Sequence, residues 1–365
     1  MKRAARGASL LIGFLVTVAT ALPWLRATAW WIRACDFPRP QILVAGLLAL
    51  ACAFWLWPWR RWPFVIVWLV VAACVLYQGW RILPYTPLAP YEALPAKSAP
   101  PDRTISLLVA NVYMENRNAR GLLDLVERWD PDLLLVLEPD AWWEEQLSVL
   151  TSSHPYQVRR PLPNTYGILL YSKLELLDAT VEELVEADIP SIHARLELPY
   201  GIPFDLHCIH PRPPAPQHAE ESLERDAELL VVARRVQQSA APAIVTGDLN
   251  DVAWSPTTRL MQQISGLLDP RKGRGMFNTF HAQIPLLRWP LDHIFHTAHF
   301  KVSRLERLPG FGSDHFPIFG EFVFDGTGIV EQRRPMPTVE DADQAEETIQ
   351  EAREKEAREQ EEQEP

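Results

Sequence analysis

The sequence predicts an α/β domain of two packed sheets flanked by helices, carried behind three membrane-spanning helices. From residue 104 onward, short apolar runs alternate with amphipathic stretches for about 220 residues. Before them, three charge-free stretches of 19, 20 and 19 residues fill most of the first 80 positions. The charge divides the same way: residues 1–103 carry 11 Lys/Arg against 3 acids, whereas residues 104–325 carry 19 against 30. The boundaries that follow are an anchor (1–81), a linker (82–103), a folded body (104–325) and a tail (326–365).

The charge-free stretches are Gly7–Leu25, Pro40–Trp59 and Trp62–Trp80. Each is long enough for a helix to cross a hydrocarbon core of about 30 Å. Trp24, Trp30, Trp31, Trp57, Trp59, Trp62 and Trp80 cluster at their ends, as interfacial anchors do. A cleaved signal peptide would account for one such run, not for three. An odd number of crossings puts the chain ends on opposite sides. Lys2, Arg3, Arg6, Arg60 and Arg61 share the side of the N-terminus, against Arg26, Arg33, Arg39 and Arg81. That excess favours a cytoplasmic N-terminus and an extracytoplasmic body in a bacterial-type inner membrane. The linker holds six prolines and reads as an extended spacer of at most ~70 Å at ~3.1 Å per residue. Cys35, Cys52 and Cys74 precede the body and only Cys208 lies in it, so the body has neither an internal disulfide nor a CxxC metal motif.

Within the body, strands are expected at Thr104–Asn111, Asp132–Leu137, Tyr166–Ser172, Ile192–Leu198, Phe204–His210, Leu291–His296 and Phe319–Phe324. Ala119–Trp129 reads as a helix with Leu122, Leu125 and Val126 on one face. Ala219–Gln238 reads as another, with Leu223, Leu230 and Val231 inward and its charges outward. The tail from Val339 has 12 acids and 3 bases, which predicts a solvated segment, disordered or a single charged helix, without chemistry.

The stretch that concentrates the chemistry is Ala243-Ile-Val-Thr-Gly-Asp-Leu-Asn-Asp251. A buried strand ends at Gly247, which permits a close turn. Asp248 and Asn250 then project together from its end. The carboxylate can hold a metal or take a proton, and the amide can donate without ionising. Other strand ends carry comparable residues: Asn111, Glu138, His210, Asp292, and Asp314-His315 before the final strand. Taken singly, each has a duller reading, such as a turn cap for Asn111 or a surface acid for Asp314. His207 reads as a structural core histidine.

Together, in this order, Asn111 after Leu-Leu-Val-Ala, Glu138 in Leu-Leu-Val-Leu-Glu-Pro, His210, Gly-Asp-Leu-Asn (247–250), Leu-Asp-His-Ile-Phe around Asp292 and Ser-Asp-His-Phe-Pro (313–317) resemble the endonuclease/exonuclease/phosphatase superfamily of DNase I-like enzymes. The resemblance implies a four-layer α/β sandwich with its site at one end of the two sheets. The anchor and linker make the chain similar to the membrane-anchored teicoplanin-resistance branch, which implies undecaprenyl pyrophosphate as substrate. One departure stands out. DNase-type members carry a glutamate before the strand near Tyr166, paired with the His210-type histidine; here Asn164-Thr165-Tyr166 stand instead.

Oxygen ligands without thiolates point to a hard cation, Mg²⁺ or Mn²⁺. The resemblance implies Glu138 as principal metal ligand, with Asn111 and Asp314 beside it. It implies Asp248 as the group that orients or deprotonates water, Asn250 as its support and a phosphate contact, His210 as a phosphate donor, and His315 as donor or acid–base, fixed by Asp292. Arg271, Lys272 and Arg274 form the densest cationic cluster of the body and are candidates for binding an anionic headgroup. Three functions follow: a membrane-tethered phosphohydrolase of a lipid phosphate or pyrophosphate, a tethered nuclease, and an inactive scaffold. The acidic body disfavours nucleic acid, and the complete ligand set disfavours the scaffold. No protein partner is predicted.

Overall fold

The computed structural model describes residues 2–25, 27–56 and 62–363. Trp57, Trp59, Arg26, Arg60 and Arg61, used above for topology, lie outside the described residues. Three apolar helices open the chain: α1 (Lys2–Ala21), then, after the short α2 (Trp30–Arg33), α3 (Arg39–Leu56) and α4 (Trp62–Ile82). By length and composition all three are able to cross a membrane. They run antiparallel in order. Arg6, near the start of α1, donates to the Leu56 carbonyl at the end of α3. A buried polar cluster, Thr20–Gln78–Arg39–Asp36, ties their other ends together. That other end is the one facing the body.

The body is built from β1 (Thr104–Asn111), α5 (Ala119–Trp129), β2 (Leu133–Leu137), α6 (Ala141–Leu147), β3 (Tyr156–Arg160), β4 (Ile168–Ser172), β5 (Leu176–Glu182), β6 (Ser191–Leu198), β7 (Ile202–Ile209), α7 (Leu223–Ser239), β8 (Ala243–Asp248), α8 (Pro256–Ser265), β9 (Asp292–His296), β10 (Phe300–Arg307) and β11 (Ile318–Phe324). One sheet has the order β10-β11-β1-β2-β4-β3 and the other β5-β6-β7-β8-β9. Ile105, Leu107 and Val109 of β1 meet Leu206 and Ile244 of the second sheet in the central core. The opposite faces are covered by α5 and α6 on the first sheet and by α7 and α8 on the second. Helix, sheet, sheet, helix is the four-layer sandwich.

Two βαβ units position the site. β1 and β2 are parallel, joined through α5, and β7 and β8 are parallel, joined through α7. Parallel strands deliver their C-terminal ends to the same edge. Gly247 is required in β8, since a Cβ there would sit 1.9 Å from the Ile209 carbonyl oxygen and its φ is +142°.

Three expectations are corrected. The linker is not an extended spacer but a strap laid on the body. Tyr85 and Ala93 are buried; the Tyr85 hydroxyl donates to the Ala253 carbonyl, and residues 94–96 exchange backbone hydrogen bonds with Val302. A proline-rich segment lacks helix propensity, but its apolar side chains still pack where a groove receives them. The helix at 219–238 begins at Leu223 and buries Arg225, Asp226 and Glu228, while Val231 is only half-buried. The tail takes the single charged helix of the two forms expected, α10 (Val339–Gln363) after the short α9 (Gly328–Glu331), but instead of standing in solvent it packs on α7. Ala345, Ile349 and Ala352 form its buried stripe at helical spacing. These few apolar residues are diluted by charge in the sequence yet share one face.

The packing of α10 has a measurable consequence. Ile349→Ala removes a buried branched side chain and should cost about 2 kcal/mol, at the low end of such truncations. The expected readout is a lower midpoint of chemical unfolding for the body; an unchanged midpoint would restore the solvated tail.

Candidate active site

The C-terminal ends of the parallel strands place Asn111 and Glu138 on one sheet, His210 and Asp248 on the other. Asp292 opens β9 directly opposite Asp248 in antiparallel register. Asp314 and His315 arrive from the loop before β11, which runs antiparallel to β1. The Asn111 amide nitrogen joins the sheets, donating to Glu138 Oε1 at 2.7 Å and to Asp248 Oδ2 at 3.1 Å. Its oxygen accepts from the Tyr113 N–H at 3.0 Å. In this arrangement Asn111 sets two carboxylates and turns its nitrogen, not its oxygen, toward Glu138.

His315 occupies the centre. Its Nδ1 is 2.7 Å from Asp292 Oδ2 and its Nε2 is 3.5 Å from Asp248 Oδ2. Burial alone would push this imidazole down, but Asp292 and Asp248 raise it to about 10, so it is a cation at neutral pH. Burial likewise works to raise Asp248, yet His315, His210, the Asn250 N–H and the Asn111 amide bring it below the usual carboxylate range. The Ser313 hydroxyl fixes the loop, donating to the Asn111 carbonyl and accepting from the His315 N–H.

His210 shows what the missing family glutamate changes. Its Nε2 is 4.0 Å from Asp248, its Nδ1 has no hydrogen-bond partner among the described residues, and its ring packs on Tyr166. Burial is the main cause that pushes it down to about 4, so it is neutral and offers one N–H. The ring of Tyr166 lies tilted at 48° to that of His210, 5.7 Å between centroids, so an aromatic ring, not a carboxylate, borders the imidazole. Tyr166 is itself held by His218, at 3.1 Å from its hydroxyl.

Glu138 sits at φ +62° and donates its N–H to the Gly167 carbonyl. Its carboxyl is pushed up to about 7, first by burial and then by Asp248 and Asp314, against the lowering effects of Asn111 and His315. Glu138, Asp248 and Asp314 all line one cleft. Such an excess of carboxylate oxygen facing a cleft fits a hard divalent cation. Asp248, Asp292 and His315 also approach closely enough to hold an ion, their ligand atoms lying within 4.8 Å of one another. However, both nitrogens of His315 already face these carboxylates, which leaves Glu138 and Asp314 as the better oxygen donors.

Asn250 also lines the cleft. Its φ is +49°, its amide donates to the Pro211 carbonyl, and its own carbonyl accepts from buried Arg225. The predicted cationic cluster lies elsewhere. Arg271 is buried in a bidentate pair with Asp269, Lys272 pairs with Glu92 of the strap, and Arg274 lies over Tyr91. These side chains neutralise internal acids and hold the strap, and none of them lines the cleft. Residues that sequence reasoning missed include Phe37, Tyr113, Phe280 and His218, which line the cleft, and Arg225 behind it. Phe37 comes from the loop between α1 and α3, more than 70 positions before the first strand-end residue. No local pattern marks it.

Residues 108–315 match the family model for the Endonuclease/Exonuclease/phosphatase family, and the chain belongs to that family. Its members are phosphodiesterases, nucleases and phosphatases, generally dependent on a divalent metal. Among solved structures, D. rerio TDP2 complexed with single-strand DNA product matches at TM-score 0.51 and 17% identity, over 60% of this chain and 98% of that one. A D. rerio TDP2 humanized by 14 mutations gives the same values. The human Nocturnin catalytic domain with bound sulfate matches at TM-score 0.51 and 18% identity, over 62% of this chain and 96% of that one. Likeness at these identities is one of fold. No curated protein matches the chain.

A carboxyl raised from its ordinary 4.5 to about 7 keeps its proton in the folded protein where the unfolded chain has released it. Its contribution to stability therefore falls as pH rises through that window. Without divalent cations, the melting temperature should drop between pH 4.5 and 7 more in the wild type than in Glu138→Gln. Added Mg²⁺ should raise it at pH 7.5 in the wild type only. Equal Mg²⁺ stabilisation of both proteins would remove Glu138 from the cation site.

Proposed function

We propose that this chain is a membrane-tethered, Mg²⁺- or Mn²⁺-assisted phosphohydrolase acting on a phosphate ester or pyrophosphate carried by a lipid, with undecaprenyl pyrophosphate the leading candidate. The observation that carries the reading is Phe37, which puts the segment between the first two apolar helices into the wall of the cleft. The cleft thus opens beside the helix ends, where a lipid headgroup is concentrated. Its volume, about 380 Å³, is at the small end for a ligand site and suits a compact headgroup. An acidic body whose densest cationic cluster is tied up by Asp269, Glu92 and Tyr91 lacks the clustered phosphate contacts of nucleic-acid binding. The proposal places the body on the extracytoplasmic face of a bacterial-type inner membrane.

Phosphoryl transfer needs positioning and charge neutralisation more than covalent help. A divalent cation held by Glu138 and Asp314 would supply charge stabilisation for the phosphoryl and leaving oxygens. Asp248 orients the attacking water. Its depressed proton affinity suits holding that water better than deprotonating it in advance. His315, kept charged by Asp292, donates through Nε2 to a phosphoryl oxygen. Neutral His210 donates a second hydrogen bond, and Asn250 completes the polar wall.

Purified full-length protein in vesicles should release phosphate from undecaprenyl pyrophosphate when Mg²⁺ is present and should leave duplex and single-stranded DNA intact. Asp248→Asn and His315→Ala should each lose ~10²-fold or more in kcat, the scale of removing one positioned polar group. Cleavage of DNA with the lipid untouched, or full activity in chelator, would overturn the proposal.

A further inference from the structure

Between Thr279 and Leu291 the chain forms a hairpin whose base belongs to the active site and whose tip does not. At the base, the Phe280 ring packs 4.9 Å from that of His315, the Ala282 N–H donates to the Asp314 carbonyl, and the Phe316 N–H donates to the Thr279 carbonyl. At the tip, Ile284, Leu286 and Leu287 are 42%, 81% and 44% exposed and lie within four consecutive positions. Adjacent apolar side chains held open in this way mark an interaction surface.

The surroundings of the tip say what covers it. Gln41 donates from its side chain to the Leu286 carbonyl at 2.8 Å. Gln41 is in the first turn of α3, the level at which that apolar helix would enter a bilayer. Beside it, Trp289 meets Phe37 edge to face at 5.8 Å. Between Thr279 and Leu291 there is no acidic residue, although the body as a whole is strongly acidic; the one full charge is Arg288. An apolar tip, a tryptophan and a lone arginine at a helix entry match the pattern of an interfacial membrane contact.

We infer that the hairpin tip Ile284-Pro285-Leu286-Leu287 inserts into the interfacial layer of the bilayer beside α3. The inference rests on the reading that the apolar helices cross a membrane, and it does not require the lipid substrate. Because the base of the hairpin braces Asp314 and His315, insertion fixes the height of the cleft above the headgroups.

The test is spin-label depth in the full chain, reconstituted in phosphatidylethanolamine/phosphatidylglycerol nanodiscs. Cys35, Cys52 and Cys74 are replaced by alanine and buried Cys208 is kept. Single nitroxides are placed at Leu286→Cys, at Leu48→Cys in the middle of α3, and at Val149→Cys, beside the end of the sheets away from the cleft. Leu287→Cys provides a second tip position should the first variant fold poorly. Collisions with oxygen should exceed those with a water-soluble nickel chelate at Leu286 or Leu287, less strongly than at Leu48, and the reverse should hold at Val149. A tip label as open to nickel as Val149, with Leu48 in lipid, would overturn the insertion alone. Leu48 and the tip both in water would overturn the membrane reading beneath it, independently of any hydrolysis assay.

Discussion

Four carboxylates, Glu138, Asp248, Asp292 and Asp314, converge on one end of the body, and the side-chain cation set directly among them is the His315 imidazolium. Concentrating like charge in a partly dry pocket is costly, and the structure distributes that cost unevenly. Asp248 and Asp292 share His315 and the Asn111 and Asn250 donors reinforce Asp248. Burial raises the proton affinity of both Asp292 and Glu138, but Asp292 shares the His315 cation, and of the two only Glu138 lines the cleft. That unevenness is the useful feature: one carboxylate pair shares a cation, and the cleft side of the same cluster remains short of positive charge. The divalent cation proposed at Glu138 would complete the balance.

The convergence depends on strand polarity. Each sheet contributes a parallel pair through a helical crossover, so four chain segments end at one edge, and Asn111 spans the gap between sheets. The anchor then closes the site from outside. Its loop supplies Phe37, the Asp36 carbonyl accepts from the Trp254 indole, and Arg81 at the end of α4 donates to the Trp254 carbonyl. With the strap of residues 84–96 packed along the body, the anchor and the catalytic body are held by direct contacts rather than by a free tether. The proposed reaction at a lipid headgroup would then require no search by a flexible domain.

Much of this was legible in the sequence because strand ends leave local marks. The apolar run closed by Gly247 marks a strand that passes close to its neighbour, and the Asp248, Asn250 spacing places both side chains at its exit. Leu-Asp-His and Ser-Asp-His point to residues that meet at 2.7 Å, 23 positions apart in the chain. Less was legible where long-range charge pairing decides. Arg271 and Lys272 look like a cationic patch because their partners, Asp269 and Glu92, are not distinguished by pattern. Arg225 and Asp226 look like exposed helix charges, yet they are buried against each other and against Asp251. Phe37 and the hairpin tip escape detection because their role arises only from the packing of the anchor on the body.

A charged His315, held by Asp292 and Asp248, organises the cluster. A ¹⁵N NMR titration of the histidine side chains reads that charge directly, with His315 assigned by its loss in His315→Ala. Both nitrogens of His315 should stay protonated from pH 6 past pH 9, while His210 is neutral throughout that range. Titration of His315 near its ordinary value of 6.5 would mean that the carboxylates do not hold a cation there.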